Sequence, residues 1–427
     1  MNRTIYFFAF ILVTSLFFLW AFLHNINPIL IPHLKKACQL SDMQSALIDF
    51  SVYLAYFLIA VPAGFFMHKF GFKKAIIAGL VFYALGALLF LPAANARSYT
   101  FFLFALFIIA SGATFLETAA NPYIAALGDR KTAAQRLNFA QSFNGLGSFI
   151  APLIGGRFIL SGVEHSAREL NSMSPAQLNN YLLSEASTVK PPYLIIGVAV
   201  LLLTIIFLFA RIPEVNPGDA DDTNSHAPAT NFSIKVLRHA HLKWAVIAQF
   251  FYVGAQVGVG SFFIRYAKFV AAIDEKEAAF LWGAIAMVGF MAGRFLGTFL
   301  MRFISPQRLL SVYALINIIL LIIAVSTTGT IALYAVIAVP FFMSIMYPTI
   351  FALGINGLAA ETKIAASFLV MAIIGGALSP LLMGFISDHT GSIQLAYIVP
   401  LLCFVIIFIY GIKGHQVRSA LRLEQTL

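Results

Sequence analysis

Charge is what this 427-residue chain has least of. Asp, Glu, Lys and Arg make up 10% of it, against about 25% in an ordinary soluble domain. So few charges cannot solvate a globular surface, which excludes a water-soluble protein. Cysteine is nearly missing as well: Cys38 and Cys403 lie near opposite ends, with no disulfide framework and no redox or metal spacing. The nine histidines form no cluster with acids or cysteines at metal-ligand intervals, so neither metal nor cofactor is expected. Basic residues outnumber acidic ones, 27 to 17, yet they are scattered over short loops without a basic block, which sets nucleic acid aside. No nucleophile–base pair appears and no long polar segment could house a soluble catalytic domain, so an enzyme is not expected.

What fills the chain is apolar. Hydrophobic residues are 60% of it and the mean hydropathy is +0.89. A spanning helix needs about 20 apolar residues, and twelve such runs have cores near 5–31, 45–67, 75–95, 98–120, 137–160, 193–211, 243–266, 279–301, 308–326, 330–354, 364–387 and 394–413. The spacing predicts an all-α membrane protein of twelve transmembrane helices. The first run is too long for a signal peptide and ends in HNINPILIPH, without a small-residue cleavage motif, so it reads as a retained helix. Lys and Arg favour the side of the N-terminus by roughly two to one, the bias expected of cytoplasmic loops. Both termini are therefore expected in the cytoplasm, with the protein in the inner membrane.

The chain repeats itself. Leu19-Trp20-Ala21 returns as Lys243-Trp244-Ala245, and Gly64 before HKFGFKK returns as Gly297 before MRFISPQR. Asn121-Pro122 through Leu127-Gly128 returns as Tyr347-Pro348 through Leu353-Gly354, and Ala151-Pro152 as Ser379-Pro380. Four anchors in order at nearly constant offset make two six-helix halves, a same-sense duplication of the kind seen in transporters with a midplane site between the halves. The expected organisation is a first half over 1–212, a polar cytoplasmic linker over 213–241 with a short helix near Ile234–His239, a second half over 242–414, and a tail over 415–427. In the long outer connection, 161–192, Ser174-Pro175 with Gln177 signals a capped helix.

Glu117, in FLETAANPYIAALG, is the sharpest chemical signal. An ionised carboxylate at the membrane centre costs about 2.5–3.5 kcal/mol or more, so such a group is a candidate to bind and release protons; a buried acid that only fixes helix packing is the alternative. Asp49 is either a second titrating group or an interfacial acid. Pro28 removes an N–H and crowds the His24 carbonyl, predicting a kink beside Asn25 and Asn27. Amides there suit a sugar, whose hydroxyls donate and accept; helix-to-helix adhesion is the competing role. Asn138, Gln141 and Asn144 lean round one face of the fifth helix, and Gln249, Tyr252 and Gln256 mark the seventh. Arg294, in MAGRFLGTFL, reads as a charge at the cytoplasmic helix end.

At LETAANP, RLNFAQSFNGLGS, QFFYVGAQ and YPTIFALGI the chain resembles the fucose–galactose–glucose:proton symporter family of the major facilitator superfamily, over all twelve helices. Glu117 and the outer loop LSGVEHSARELNSMSPAQLNNY are similar to the L-fucose permease branch; glucose–galactose members tend to carry Gln at the Glu117 position. The resemblance implies a central sugar cavity with Glu117 and Asn25 near the substrate and Gln141 as a further polar contact. It also implies a second acid in helix one, where this chain has Pro28. The expected function is import of L-fucose or a related hexose by proton symport, by a monomer whose partners are sugar, protons and the bilayer. A proton-independent sugar facilitator, or an exporter of another metabolite or drug, would fit the same fold.

Overall fold

The computed structural model describes residues 3–25, 27–40, 42–158, 169, 172–215 and 233–417. Most of the polar linker (216–232), the end of the tail (418–427) and the start of the outer loop (159–168, 170 and 171) lie outside them. Backbone N–H and C=O groups have no water to bind in a bilayer, so apolar runs satisfy them internally as helices. In chain order these are α1 (Arg3–His24), α2 (Asn27–Cys38), α3 (Asp42–Phe70), α4 (Phe72–Ala96), α5 (Tyr99–Ala126), α6 (Ala133–Phe158), α7 (Pro175–Ser187) and α8 (Lys190–Phe209). The second set is α9 (Ala240–Ala271), α10 (Lys276–Leu300), α11 (Pro306–Ser326), α12 (Gly329–Gly354), α13 (Ala359–Thr390) and α14 (Ile393–Gly414). The pair α1–α2 makes one crossing, α7 makes none of its own, and the others bring the total to twelve.

Local chemistry explains the punctuation. The first crossing breaks at Asn25 instead of bending within a continuous helix, and resumes with Pro28 in the first turn of α2, where proline has no hydrogen bond to lose. The outer helix α7 begins with the expected capping box: Ser174 Oγ accepts from Gln177 N while the Gln177 side chain accepts from Ser174 N. Ser98 caps α5 in the simpler way, accepting from Phe101 N. The linker ends in a single tight turn, Ile234–Arg238. At its start Glu214 accepts from the N–H groups of Phe72 and Lys73 at 3.1 and 3.3 Å, placing a carboxylate on the positive end of α4. Gly71 has a φ of 86°, and a Cβ there would meet that carboxylate.

The repeat anchors fall on equivalent helices: Trp20 on α1 and Trp244 on α9, Gly64 on α3 and Gly297 on α10, Pro122 on α5 and Pro348 on α12. Helices of the first six crossings meet those of the second six mainly as α3 against α13, α6 against α10 and α12, and α5 against α12 and α13. These contacts are tightest toward the end of the bundle that carries the termini. A Cβ on Gly64 would lie 2.5 Å from Ser367 Cβ, and Gln135 donates to the Thr298 carbonyl at 3.3 Å. Glycine at 64 is what lets α3 and α13 close there.

Gly64→Ala is expected to cost about 1–3 kcal/mol by overpacking that contact. Thermal denaturation of the purified protein checks it, and an unchanged melting temperature would mean that the seam is looser than described.

Candidate functional site

The site forms where α5, α6, α10 and α12 converge. α5 runs on past Pro122 to Ala126, so Glu117 lies well inside a helix whose later half is buried throughout. Only 9% of Glu117 is exposed. Its carboxylate accepts two hydrogen bonds, from Tyr56 Oη of α3 at 3.0 Å and from Tyr347 Oη of α12 at 3.1 Å. One donor comes from each half of the chain, so the carboxylate is itself a bridge across the seam. Charge-assisted bonds of this kind are roughly twice as strong as neutral ones, which offsets part of the cost of burying the acid.

A hydrogen-bonded chain runs outward from Glu117. Asn121 Nδ2 donates to the Glu117 carbonyl at 2.8 Å, and Gln141 Nε2 donates to Asn121 Oδ1 at 3.0 Å. The Gln141 carbonyl accepts from Arg294, whose guanidinium also donates to Asn144 Oδ1 at 3.4 Å. The Asn144 carbonyl accepts from Ser148 Oγ, which in turn accepts from Asn25 Nδ2 at 2.8 Å. Asn138 stands beside the chain and donates to Thr349 Oγ1 across the seam at 3.1 Å. Asn25, Glu117, Asn138, Gln141 and Asn144, marked by sequence, are thus brought together.

The seventh-helix residues behave differently. Gln249 and Tyr252 are fully buried on α9; the Gln249 amide makes no hydrogen bond within the protein, and the Tyr252 hydroxyl faces the Arg294 guanidinium. Buried polar atoms without partners are uncommon and mark a place where something else supplies them. Gln256, one to two turns further along α9, is half-buried and joins none of these bonds. Asp49 is not part of the cluster. It is exposed on α3, seven residues before Tyr56 and so about 10 Å along the helix from it.

Arg294 is the correction. It is 3% exposed and lies in the interior, not at a helix end facing water. The cause is Pro348: without an N–H it leaves the carbonyl four residues earlier, that of Ser344, without its helical donor, and Arg294 Nε donates there at 2.7 Å. Gly293 permits the approach, because a Cβ on it would collide with the Phe341 carbonyl. The guanidinium also lies over the Phe290 ring, 4.6 Å from its centroid. The sequence signal was available: Arg294 follows a glycine in an apolar stretch, more than a turn from the nearest loop, and Pro348 interrupts the apolar run two crossings later.

A profile of the Major Facilitator Superfamily matches residues 6–371. The L-fucose-proton symporter of Escherichia coli K12 is 44% identical over 412 residues, covering 95% of this chain and 93% of that protein. The Glucose/galactose transporter of Brucella abortus is 41% identical over 420 residues, covering 96% and 95%. Among solved structures, FucP in the outward conformation superposes with a TM-score of 0.87 at 42% identity, covering 97% of this chain and all of that one. The proton:xylose symporter XylE shares the fold, with a TM-score of 0.71 at 13% identity and full coverage of both chains.

Gln141→Leu leaves Asn121 Oδ1 buried without its donor, a loss expected to cost about 1–3 kcal/mol. Differential scanning of the purified variant tests this; stability equal to wild type would show that Asn121 finds another partner.

Proposed function

The chain belongs to the Major Facilitator Superfamily, with its fold of twelve transmembrane helices in two six-helix halves, and we propose from this premise that it imports a monosaccharide together with a proton. One observation carries the reading: the buried carboxyl of Glu117 is bonded at once to a tyrosine of each half. A titratable group at the seam has different surroundings when the halves separate, so its protonation and the opening of the bundle depend on each other. The relatives named as L-fucose-proton symporter and Glucose/galactose transporter support the substrate class, and Glu117 favours L-fucose or a close hexose.

The sugar sits between the two walls of the site. Asn25, Glu117, Asn138, Gln141 and Asn144 form the first wall, and Gln249, Tyr252 and Gln256 the second. Because the Gln249 amide has no partner within the protein, sugar hydroxyls would complete it. Protonation of Glu117 turns an acceptor-only carboxylate into a group that also donates, and removes the cost of moving a charge through the apolar interior. Asp49, exposed toward the opposite end of α3, supplies a second titrating group.

Closure is tightest at the end bearing the termini, through Gly64 against Ser367, Gln135 to Thr298 and Asn138 to Thr349. The loop charge bias assigns that end to the cytoplasm. The unit is a monomer in the inner membrane with halves over 1–212 and 242–414, a linker over 213–241 and a cytoplasmic tail over 415–427.

In proteoliposomes with an imposed proton gradient, wild type is expected to concentrate labelled L-fucose, D-galactose or D-glucose. Glu117→Gln should exchange the same sugar without concentrating it. Gradient-driven accumulation by Glu117→Gln would remove the proton role from this residue. Sugar flux indifferent to the gradient in wild type would favour the facilitator, as Pro28 in place of the family's helix-one acid suggests. No flux of any of the three, with efflux of lipophilic cations, would favour the exporter.

A further inference from the structure

We propose that a cavity at the end of the bundle bearing the termini binds the phosphate ester of a small polyol, and that this ligand holds that end closed. The cavity measures about 210 Å³. One water takes about 10–15 Å³ of such space, so the room is more than a bare ion fills and enough for a compact organic anion. Its walls come from both halves. The end of α5, the turn Arg130–Thr132 and the start of α6 form one side; the end of α12 and the starts of α11 and α13 form the other. Gly357 of that second wall adjoins the tail, since a Cβ there would lie 3.6 Å from Val417. The cavity shares no residue with the Glu117 cluster.

Its lining carries cations and no acid. Arg130 and Lys131 are the charged residues of the wall. The acids that flank the wall in sequence are turned to other groups: Asp129 accepts from the Lys131 backbone N–H at 2.9 Å, and Glu361 pairs with His239 at 2.8 Å. Carbonyls that would repel an anion are covered as well. Arg136 donates to the Ile124 and Ala125 carbonyls at 3.3 and 2.6 Å, which offsets the negative end of α5.

Helix starts add to the positive side of the balance. Ala133 of α6, Gln307 of α11 and Thr362 of α13 belong to the first turns of their helices and to the wall, so three positive helix ends converge there. At α11 the cap is unused: the Ser305 side chain accepts nothing from the first turn, and its Oγ is buried without a partner. An arginine fork, a lysine and helix-start N–H groups together suit the several oxygens of a phosphate. Gln307, Asn356 and Thr362 supply amides and a hydroxyl for the hydroxyls of the polyol. A soluble metabolite and a lipid headgroup can both present this chemistry.

A ligand held by both walls binds the arrangement in which they are close and loses half its contacts when they part. It therefore favours the closed state by its difference in affinity for the two. In a carrier that imports sugar, the walls must separate to release the sugar inward, so the bound ester slows entry. Binding does not depend on the import reading; the effect on flux rests on it.

Thermal denaturation of the full-length protein in detergent tests the binding, with glycerol phosphate and phosphatidylglycerol as separate probes and glycerol as the neutral control. A phosphate ester is expected to raise the melting temperature by about 2 °C or more, glycerol to leave it unchanged, and Arg130→Gln/Lys131→Gln to lose the rise. A rise with glycerol phosphate identifies a soluble ligand, and a rise with phosphatidylglycerol alone a lipid headgroup. No rise with either, or an equal rise in the double variant, overturns the proposal. Should the double variant not fold, Gln307→Leu makes the same comparison. In proteoliposomes with the terminus-bearing face inside, the effective ester, trapped in the lumen or included in the bilayer, is expected to slow labelled-sugar uptake about threefold or more in wild type and not in the double variant. Unchanged uptake despite the melting rise overturns the closing role. Failure of the import reading is separately visible, because wild type would then take up no sugar while the melting rise remains.

Discussion

Two opposite charges buried at one seam, separated by tyrosines, are the constraint around which the interior is arranged. Neither Glu117 nor Arg294 is affordable alone in an apolar bundle. Each is placed where both halves contribute to holding it: Tyr56 and Tyr347 for the acid, Gln141 and Ser344 carbonyls for the cation. Separating the halves would therefore change the surroundings of both charges. Hydrophobic packing alone would have no such effect, since apolar contacts on the two faces of the seam carry no information about protons.

The polar walls are unequal, and the inequality has a physical meaning. On the first half nearly every amide is engaged: Asn121 with Gln141, Asn138 with Thr349, Asn144 with Arg294, Asn25 with Ser148. On the second half the Gln249 amide is buried with nothing to bind. A saturated wall is rigid and resists repacking; an unsaturated one gains the most from a ligand that brings its own donors and acceptors. A hydroxyl-rich substrate would therefore be discriminated chiefly on the α9 side, while the α6 side keeps the halves in register.

Much of this was legible in the sequence, for identifiable reasons. Twelve crossings follow from hydropathy, and the duplication follows from anchors that recur because equivalent helices need the same glycine and proline at the same depth. Glu117 announced itself by its cost. Asn138, Gln141 and Asn144 could be put on one face, but spacing along a helix does not say which neighbour the face meets, so the link from Gln141 to Asn121 was out of reach. Arg294 was misjudged because a long basic side chain near a helix end ordinarily reaches for water. Its true partner is a carbonyl freed by a proline 54 positions later in the chain, a long-range relation that residue type alone does not reveal. Pro28 was read as a kink beside Asn25 and Asn27, and the helix is interrupted there, at Asn25.

The missing helix-one acid looks different once the interior is described. A coupled carrier needs a group whose charge is costly in one arrangement of the halves and cheaper in the other. Asp49 stands apart from the seam, seven residues before Tyr56 on α3. Glu117 meets that need, because burial and the two-sided tyrosine bonds give its ionised form a free energy that depends on closure.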